Sequence, residues 1–206
     1  VEAPRSTSRP SGDWSTIESI TVVASNWATI AGRQHWAAVA DAPPFDYRLR
    51  FAFPDGNDWE RDDPYRFLPT LGELDLHLIG EGSHERLWEV LGAHPRTLDG
   101  TAGVAFAVWA PNARNVRIVG DFDRWDGRLF PMRSLGALGV WELFVPGIGA
   151  GELYKYEILG RDGTLRLKAD PLAFAMQVRP ETASRVWDPS AYPWTDDAWM
   201  AERATR

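Results

Sequence analysis

Two stretches of this 206-residue chain carry the same punctuation at an offset of 107 residues, and that repetition restricts the fold more than any other feature. The first, YRLRFAFPDGNDWERDDPYRF, runs from Tyr47 to Phe67, and the second, YKYEILGRDGTLRLKADPLAF, from Tyr154 to Phe174. Each opens on Tyr and a basic residue, reaches Asp-Gly eight residues later and Asp-Pro eight further on, and ends on Phe at the same distance. Tyr47, Leu49, Phe51 and Phe53 alternate with Arg48, Arg50 and Ala52, while Tyr154, Tyr156 and Ile158 alternate with Lys155 and Glu157. A period of two marks a half-buried strand. Asp55-Gly56 and Asp162-Gly163 supply turns, because Gly tolerates positive φ. Asp63-Pro64 and Asp170-Pro171 end ladders that Pro cannot continue. Each copy predicts a β-hairpin, and the pair predicts a duplicated β-module whose leading tyrosines both point into a core.

Further strands precede the second hairpin: Val104–Ala110, Asn115–Gly120 and Val140–Gly147, each ended by Pro, Gly or Asp. Short strands at that spacing indicate a sandwich. The first copy is poorer, with Glu18–Ser25 and His35–Ala40 as its candidate strands, and residues 1–14 are expected to be disordered. Between the copies a helix is expected. Ser83 is its N-cap, Glu85 lies in its first turn, Leu87, Trp88, Val90 and Leu91 form its apolar stripe, and Gly92 comes just past its end.

A net charge of −7 argues against nucleic acid and anionic membrane surfaces. No segment reaches the roughly 20 apolar residues of a membrane span, and the N-terminus lacks the apolar stretch of a secretory signal. With no cysteine there are no disulfides, no thiol catalysis and no thiolate metal sites, which fits a cytoplasmic location. Histidines at 35, 77, 84 and 94 have no metal-ligand spacing, and no P-loop, GxGxxG or GxSxG signature is present, so neither a cofactor nor a metal is expected.

Eleven tryptophans are several times the usual share, and most are expected in cores or interfaces. GDFDRWDG (Gly120–Gly127) is different, because it sets Trp125 in a polar turn after a strand. Two readings stand at this point: a platform that stacks on a sugar ring, or a core Trp folded beneath its loop. Asp121, Asp123 and Asp126 do not make a calcium loop, since the fifth, sixth and twelfth positions hold Trp125, Asp126 and Met132.

FAVWAPNARNVRIVGDFDRWDG, GVWELFVPG, YKYEI and KADP closely resemble the family-48 carbohydrate-binding module. That module is an immunoglobulin-like sandwich found in family-13 α-glucan enzymes and in the β-subunit of AMP-activated protein kinase. Asp63–His94 resembles the joint between the two N-terminal sandwiches of bacterial glycogen branching enzymes, and Pro189–Met200 resembles the lead-in to their catalytic barrel. The resemblance spans about residues 42–206 and is faint before that.

The resemblance implies a mainly β fold of two immunoglobulin-like β-sandwich modules in tandem, joined by a short helix, the first one partial. Its expected divisions are 1–14 disordered, 15–75 partial sandwich, 76–99 helical connector, 100–185 carbohydrate-binding sandwich and 186–206 lead-in to a barrel that this chain does not contain. Similar modules contact glucan through residues matching Trp125 and Lys155, so glycogen or maltooligosaccharide is the expected partner, beside a family-13 catalytic barrel of the kind that normally follows such modules. The second Trp of kinase-type modules is missing here, where Thr164, Leu165 and Arg166 come after the Asp-Gly turn, and weak affinity is expected. Trp109 and Trp141 match strand positions and are expected in the core. The first module, without a GDFxxW turn, is expected to brace rather than bind. A free-standing glucan-binding scaffold is the alternative to part of a branching enzyme. The carboxylates of the branching reaction belong to the barrel, so no catalytic residue is assigned. Incubating this chain alone with amylose is expected to yield neither new α-1,6 ends nor reducing sugar, and activity that survives purification would contradict the assignment.

Overall fold

A computed structural model describes residues 47–52, 54, 56, 58–193 and 195–203 in full, and residues 19–24 and 30–31 by backbone alone. The expectations for residues 1–14 and His35–Ala40, and those resting on Phe53, Asp55 and Trp194, lie outside the described residues. The chain divides into two compact units, residues 1–68 and 69–206. Among the described residues no helix is long and apolar enough to cross a membrane.

In the first unit, β1 (Ser19–Ala24), β2 (Ile30–Ala31), β3 (Tyr47–Ala52) and β4 (Asp58–Asp62) form an antiparallel sheet in the order β2-β1-β3-β4. β3 and β4 are the expected hairpin, and Gly56 in their connection has φ +81°. Arg48 pairs with Asp62 across it at 3.2 Å, and Phe51 meets Trp59 with ring centroids 5.3 Å apart.

The second unit opens with helix α1 (Glu73–Glu81) and continues through β5 (Gly92–Leu98), β6 (Thr101–Trp109), β7 (Ala113–Gly120), β8 (Arg133–Ser134) and β9 (Val140–Pro146). β10 (Leu153–Gly160), β11 (Leu165–Lys168), β12 (Ala175–Met176), β13 (Ser184–Arg185) and the short helix α2 (Asp197–Glu202) complete it. One sheet runs β5-β6-β9-β8. In the other, β10 pairs with β7 along one edge and with β11 and β13 along the opposite edge. The alternating phase of each strand supplies the core between the sheets. Val104, Phe106, Val108, Leu143 and Val145 come from one sheet, and Val116, Ile118, Tyr154 and Tyr156 from the other. Phe106 and Tyr154 meet edge to face at 5.0 Å. Burying one such side chain stabilises by about 1.5–3 kcal/mol.

The duplication extends to the hydrogen bonds. Leu49↔Arg61, Arg50↔Glu60, Phe51↔Trp59 and Ala52↔Asp58 recur, 107 residues on, as Tyr156↔Lys168, Glu157↔Leu167, Ile158↔Arg166 and Leu159↔Leu165. The Tyr47 hydroxyl donates to Asp63 at 2.6 Å, and the Tyr154 hydroxyl donates to Asp170 at 2.6 Å. Each aspartate also accepts the N–H two residues on, from Tyr65 at 2.9 Å and from Leu172 at 2.8 Å. The tyrosines differ in depth. Tyr154 is fully buried, whereas Tyr47 is half-buried, so only one of the two meets the expectation of a core position. Burial is the first cause that pushes both phenols above their usual range, and the partner aspartates add to it. Ala24 lies opposite Tyr47 as Gly120 lies opposite Tyr154, which makes β1 the counterpart of β7. Residues 25–29, Trp27 among them, lie outside the described residues.

Two expectations are corrected. The helix does not span Ser83–Gly92. It is α1, which begins after Gly72, where Asp75 accepts the Gly72 N–H at 3.2 Å. It ends at Gly82, left-handed at φ +71°. Gly82 N–H donates to the Ile79 carbonyl at 3.1 Å and Ser83 N–H to Leu78 at 3.0 Å, so Ser83 closes a helix rather than opening one. Leu87–Glu89 is a single 3-10 turn, and Gly92 begins β5, a strand of the sandwich. The apolar spacing is real for three of its four residues, since Leu76, Ile79, Leu87 and Val90 pack around Leu71, Leu91, Ala107 and Val140 on the outer side of the β6–β9 pair, whereas Trp88 is exposed. The second correction is Trp109, which is 56% exposed, its indole N–H donating to the Leu138 carbonyl at 3.0 Å. Phe106 and Val108 hold the inward phase of β6, and pleating sends Trp109 outward. Trp141 is half-buried against the core.

Tyr154→Phe removes one of the donors to a buried carboxylate and is expected to cost the second unit about 1–3 kcal/mol in urea unfolding. Tyr47→Phe, at a half-buried site, is expected to cost the first unit less.

Candidate functional site

β7 ends at Gly120, and the chain leaves the sheet through the turn Gly120–Gly127. Gly120 has no room for a side chain: a Cβ would lie 2.3 Å from the Leu153 carbonyl oxygen and 2.5 Å from the Phe122 ring. Phe122 turns inward, its ring centroid 6.1 Å from Phe106 and 5.6 Å from Phe130. Asp123 is fully buried, and one of its carboxylate oxygens accepts the N–H of Gly120 at 2.8 Å and of Trp125 at 2.9 Å. Arg124 and Trp125 then take left-handed conformations, at φ 59° and 62°. For non-glycine residues that costs roughly 1–2 kcal/mol each. The Asp123 bonds, together with Trp125 N–H donating to the Gly120 carbonyl at 2.9 Å, offset the cost. At the far end of the turn a Cβ on Gly127 would lie 2.4 Å from Glu157 Oε1, so the loop returns against β10.

Trp125 is thereby turned outward. It is 38% exposed, and its indole N–H donates to Asp121 Oδ1 at 3.0 Å. Of the two readings left open by the sequence, the core position belongs to Phe122 instead. Lys155 lies between the buried Tyr154 and Tyr156, so its side chain leaves the opposite face of β10. It stands across from Val119, the residue before Gly120, and its ammonium donates to Thr182 Oγ1 at 2.8 Å. Both candidates therefore lie at one end of the β7–β10 ladder. Farther along the outer face, Arg117 and Glu157 pair at 2.9 Å. Leu165 and Leu167 stand opposite Leu159 and Glu157, half-exposed, so the position after the second Asp-Gly turn offers aliphatic rather than aromatic surface. Burial, and then the Asp121 carboxylate, push the Glu152 carboxyl above its ordinary value.

Sequence reasoning weighed the turn's aspartates only as calcium ligands and passed over Thr182. The available signal was the Asp-Phe-Asp spacing next to Gly120, which lets a short carboxylate accept nearby backbone N–H groups. Among the described residues no group of three or more His, Asp or Glu could hold a metal ion.

Residues 90–173 match the family profile of carbohydrate-binding module 48 (isoamylase N-terminal domain). Over those residues the second unit is similar to that module, in keeping with its two antiparallel sheets and the immunoglobulin-like sandwich fold. The chain as a whole is similar to the N-terminal region of 1,4-alpha-glucan branching enzymes. It is 63% identical over 163 residues to the branching enzyme GlgB of Rhodococcus jostii, covering 77% of this chain and 22% of that protein. It is 50% identical over 210 residues to that of Mycolicibacterium paratuberculosis, covering 95% of this chain and 29% of that protein. The latter match reaches into residues 1–41, where the sequence had promised little resemblance. The pullulanase of Paenibacillus barengoltzii aligns in structure at 22% identity and a TM-score of 0.43, over 61% of this chain and 20% of that one. The chain spans between a fifth and a third of the length of these curated relatives.

Asp123→Ala leaves the Gly120 N–H without its side-chain acceptor and Trp125 N–H with the Gly120 carbonyl alone, and is expected to lower stability by about 1–3 kcal/mol in urea unfolding. Asp123→Asn keeps an oxygen at that place and is expected to lose much less.

Proposed function

We propose that the second unit binds α-1,4-linked glucan, in glycogen or maltooligosaccharides, at the end of the β7–β10 ladder. Trp125 is the stacking platform and Lys155 the polar contact. The observation that carries this reading is an indole held outward by a turn with two consecutive left-handed residues and by a hydrogen bond to Asp121. An aromatic face suits the C–H face of a glucose ring, and an ammonium beside it suits ring hydroxyls.

The first unit, which repeats the same hairpin, has a bracing rather than a glucan-binding role. The intact protein transfers an α-1,4-linked glucan segment to a 6-hydroxyl, as the names of the relatives suggest. Its carboxylate pair lies on a β/α barrel outside this chain, and the module's task is to keep glucan near that barrel. The absence of cysteine agrees with action in a reducing cytoplasm. In the proposed division of the chain the binding sandwich begins with β5 at Gly92 rather than at residue 100, and residues 186–206 lead to the barrel.

One face of a Trp, about half of its 150–250 Å², contributes about 2–3 kcal/mol at roughly 25 cal/mol per Å². Trp125→Ala is therefore expected to weaken maltoheptaose binding at least tenfold by calorimetric titration, with an unchanged melting temperature. Unchanged affinity would place the site elsewhere.

A further inference from the structure

We propose that Asp121 is a positioning residue for this site, holding the Trp125 indole at the angle that presents its ring to carbohydrate; this rests on the reading of Trp125 just given. The backbone of the turn is already fixed by Asp123, which bonds to the N–H groups of Gly120 and Trp125 but not to the indole. Backbone restraint leaves the side-chain torsions of a half-exposed Trp unset. The hydrogen bond from Trp125 Nε1 to Asp121 Oδ1, at 3.0 Å, supplies the missing restraint, and it runs edge-on through the indole N–H, leaving the ring faces uncovered by the carboxylate. Asp121 is itself exposed and opens the 3-10 turn, so its side chain contributes little to packing. The division of labour is plain: the buried aspartate shapes the loop, and the exposed one aims the ring. An aromatic held in its bound orientation before the ligand arrives avoids an ordering cost of about 0.5–1.5 kcal/mol, a factor of roughly two to ten in affinity.

The test is a double-mutant cycle read by maltoheptaose titration of this chain, with melting temperatures alongside. Asp121→Ala is expected to weaken binding about two- to tenfold with no change in melting temperature. Asp121→Asn, which retains an oxygen acceptor, is expected to lose less than about twofold. In a Trp125→Phe background, which has no indole N–H, Asp121→Ala should add nothing. A ligand-free readout accompanies it. The Trp125 Nε1–H resonance, identified by its disappearance in Trp125→Phe, should exchange with solvent faster in Asp121→Ala. Equal losses in both backgrounds would mean that Asp121 touches the sugar itself, and would overturn the positioning role. If Trp125→Ala abolishes binding while Asp121→Ala does not weaken it, this inference alone falls. If Trp125→Ala changes nothing, the site reading falls and takes this inference with it.

Discussion

The Tyr154 hydroxyl lies 2.6 Å from the Asp170 carboxylate inside a core closed to solvent, and the strand that carries the candidate site is anchored by that contact. Asp170 also accepts from the Tyr156 hydroxyl at 3.2 Å and the Leu172 N–H at 2.8 Å, while its own N–H donates to Ser184 Oγ at 2.8 Å. Asp170 thus ties the central strand β10 to the end of its hairpin through its carboxylate and to β13 through its backbone N–H. Burial raises the Asp170 carboxyl above its ordinary range, and these donors offset part of that rise. The same tyrosine packs its ring on Phe106 and pairs its backbone with Gly120, the first residue of the Trp125 turn. The orientation of the site therefore descends from the core rather than from the loop alone. The first unit repeats the contact as Tyr47 and Asp63, half-buried, around a sheet of the same local register.

Much of this was legible in the sequence because it depends on residues with few alternatives. Asp-Gly marked both hairpin turns in the sequence, and Gly56 and Gly163 do take positive φ of 81° and 77°. Asp-Pro stopped both ladders, and strict alternation set the phase of β10. The failures share a cause. In VAFAVWA every residue is apolar, so nothing in the pattern distinguishes the inward Phe106 and Val108 from the outward Trp109. The Leu87–Leu91 spacing is equally ambiguous. Those residues pack on a sheet as a helical stripe would, but their backbone is a 3-10 turn running into a strand. The helix that does exist, α1, is bounded by glycines at 72 and 82 that read equally well as loop residues.

At the site, the polar turn singled out Trp125 but left its direction open, and Lys155 came only through resemblance; the structure supplies the physical reasons for their placement. Phe122 and Trp125 are three residues apart in one turn, yet one anchors the core and the other faces outward. The carboxylates between and beside them decide which is which. Asp121 and Asp123 look alike in sequence, and only burial separates their roles, because the buried one must bond backbone donors while the exposed one reaches a side chain. The outer face of β10 then adds Lys155, the Arg117–Glu157 pair and two exposed leucines in a row that continues away from Trp125.

The central claim is that this end of the second sheet is the glucan platform, and the most direct measurement is residue-resolved. Maltoheptaose titrated into isotopically labelled chain, monitored by amide and indole NMR shifts, should perturb residues 120–127, Lys155 and Thr182, with smaller changes toward Leu167. Shifts concentrated instead around Trp109 on the opposite sheet, or in the first unit, would contradict the account.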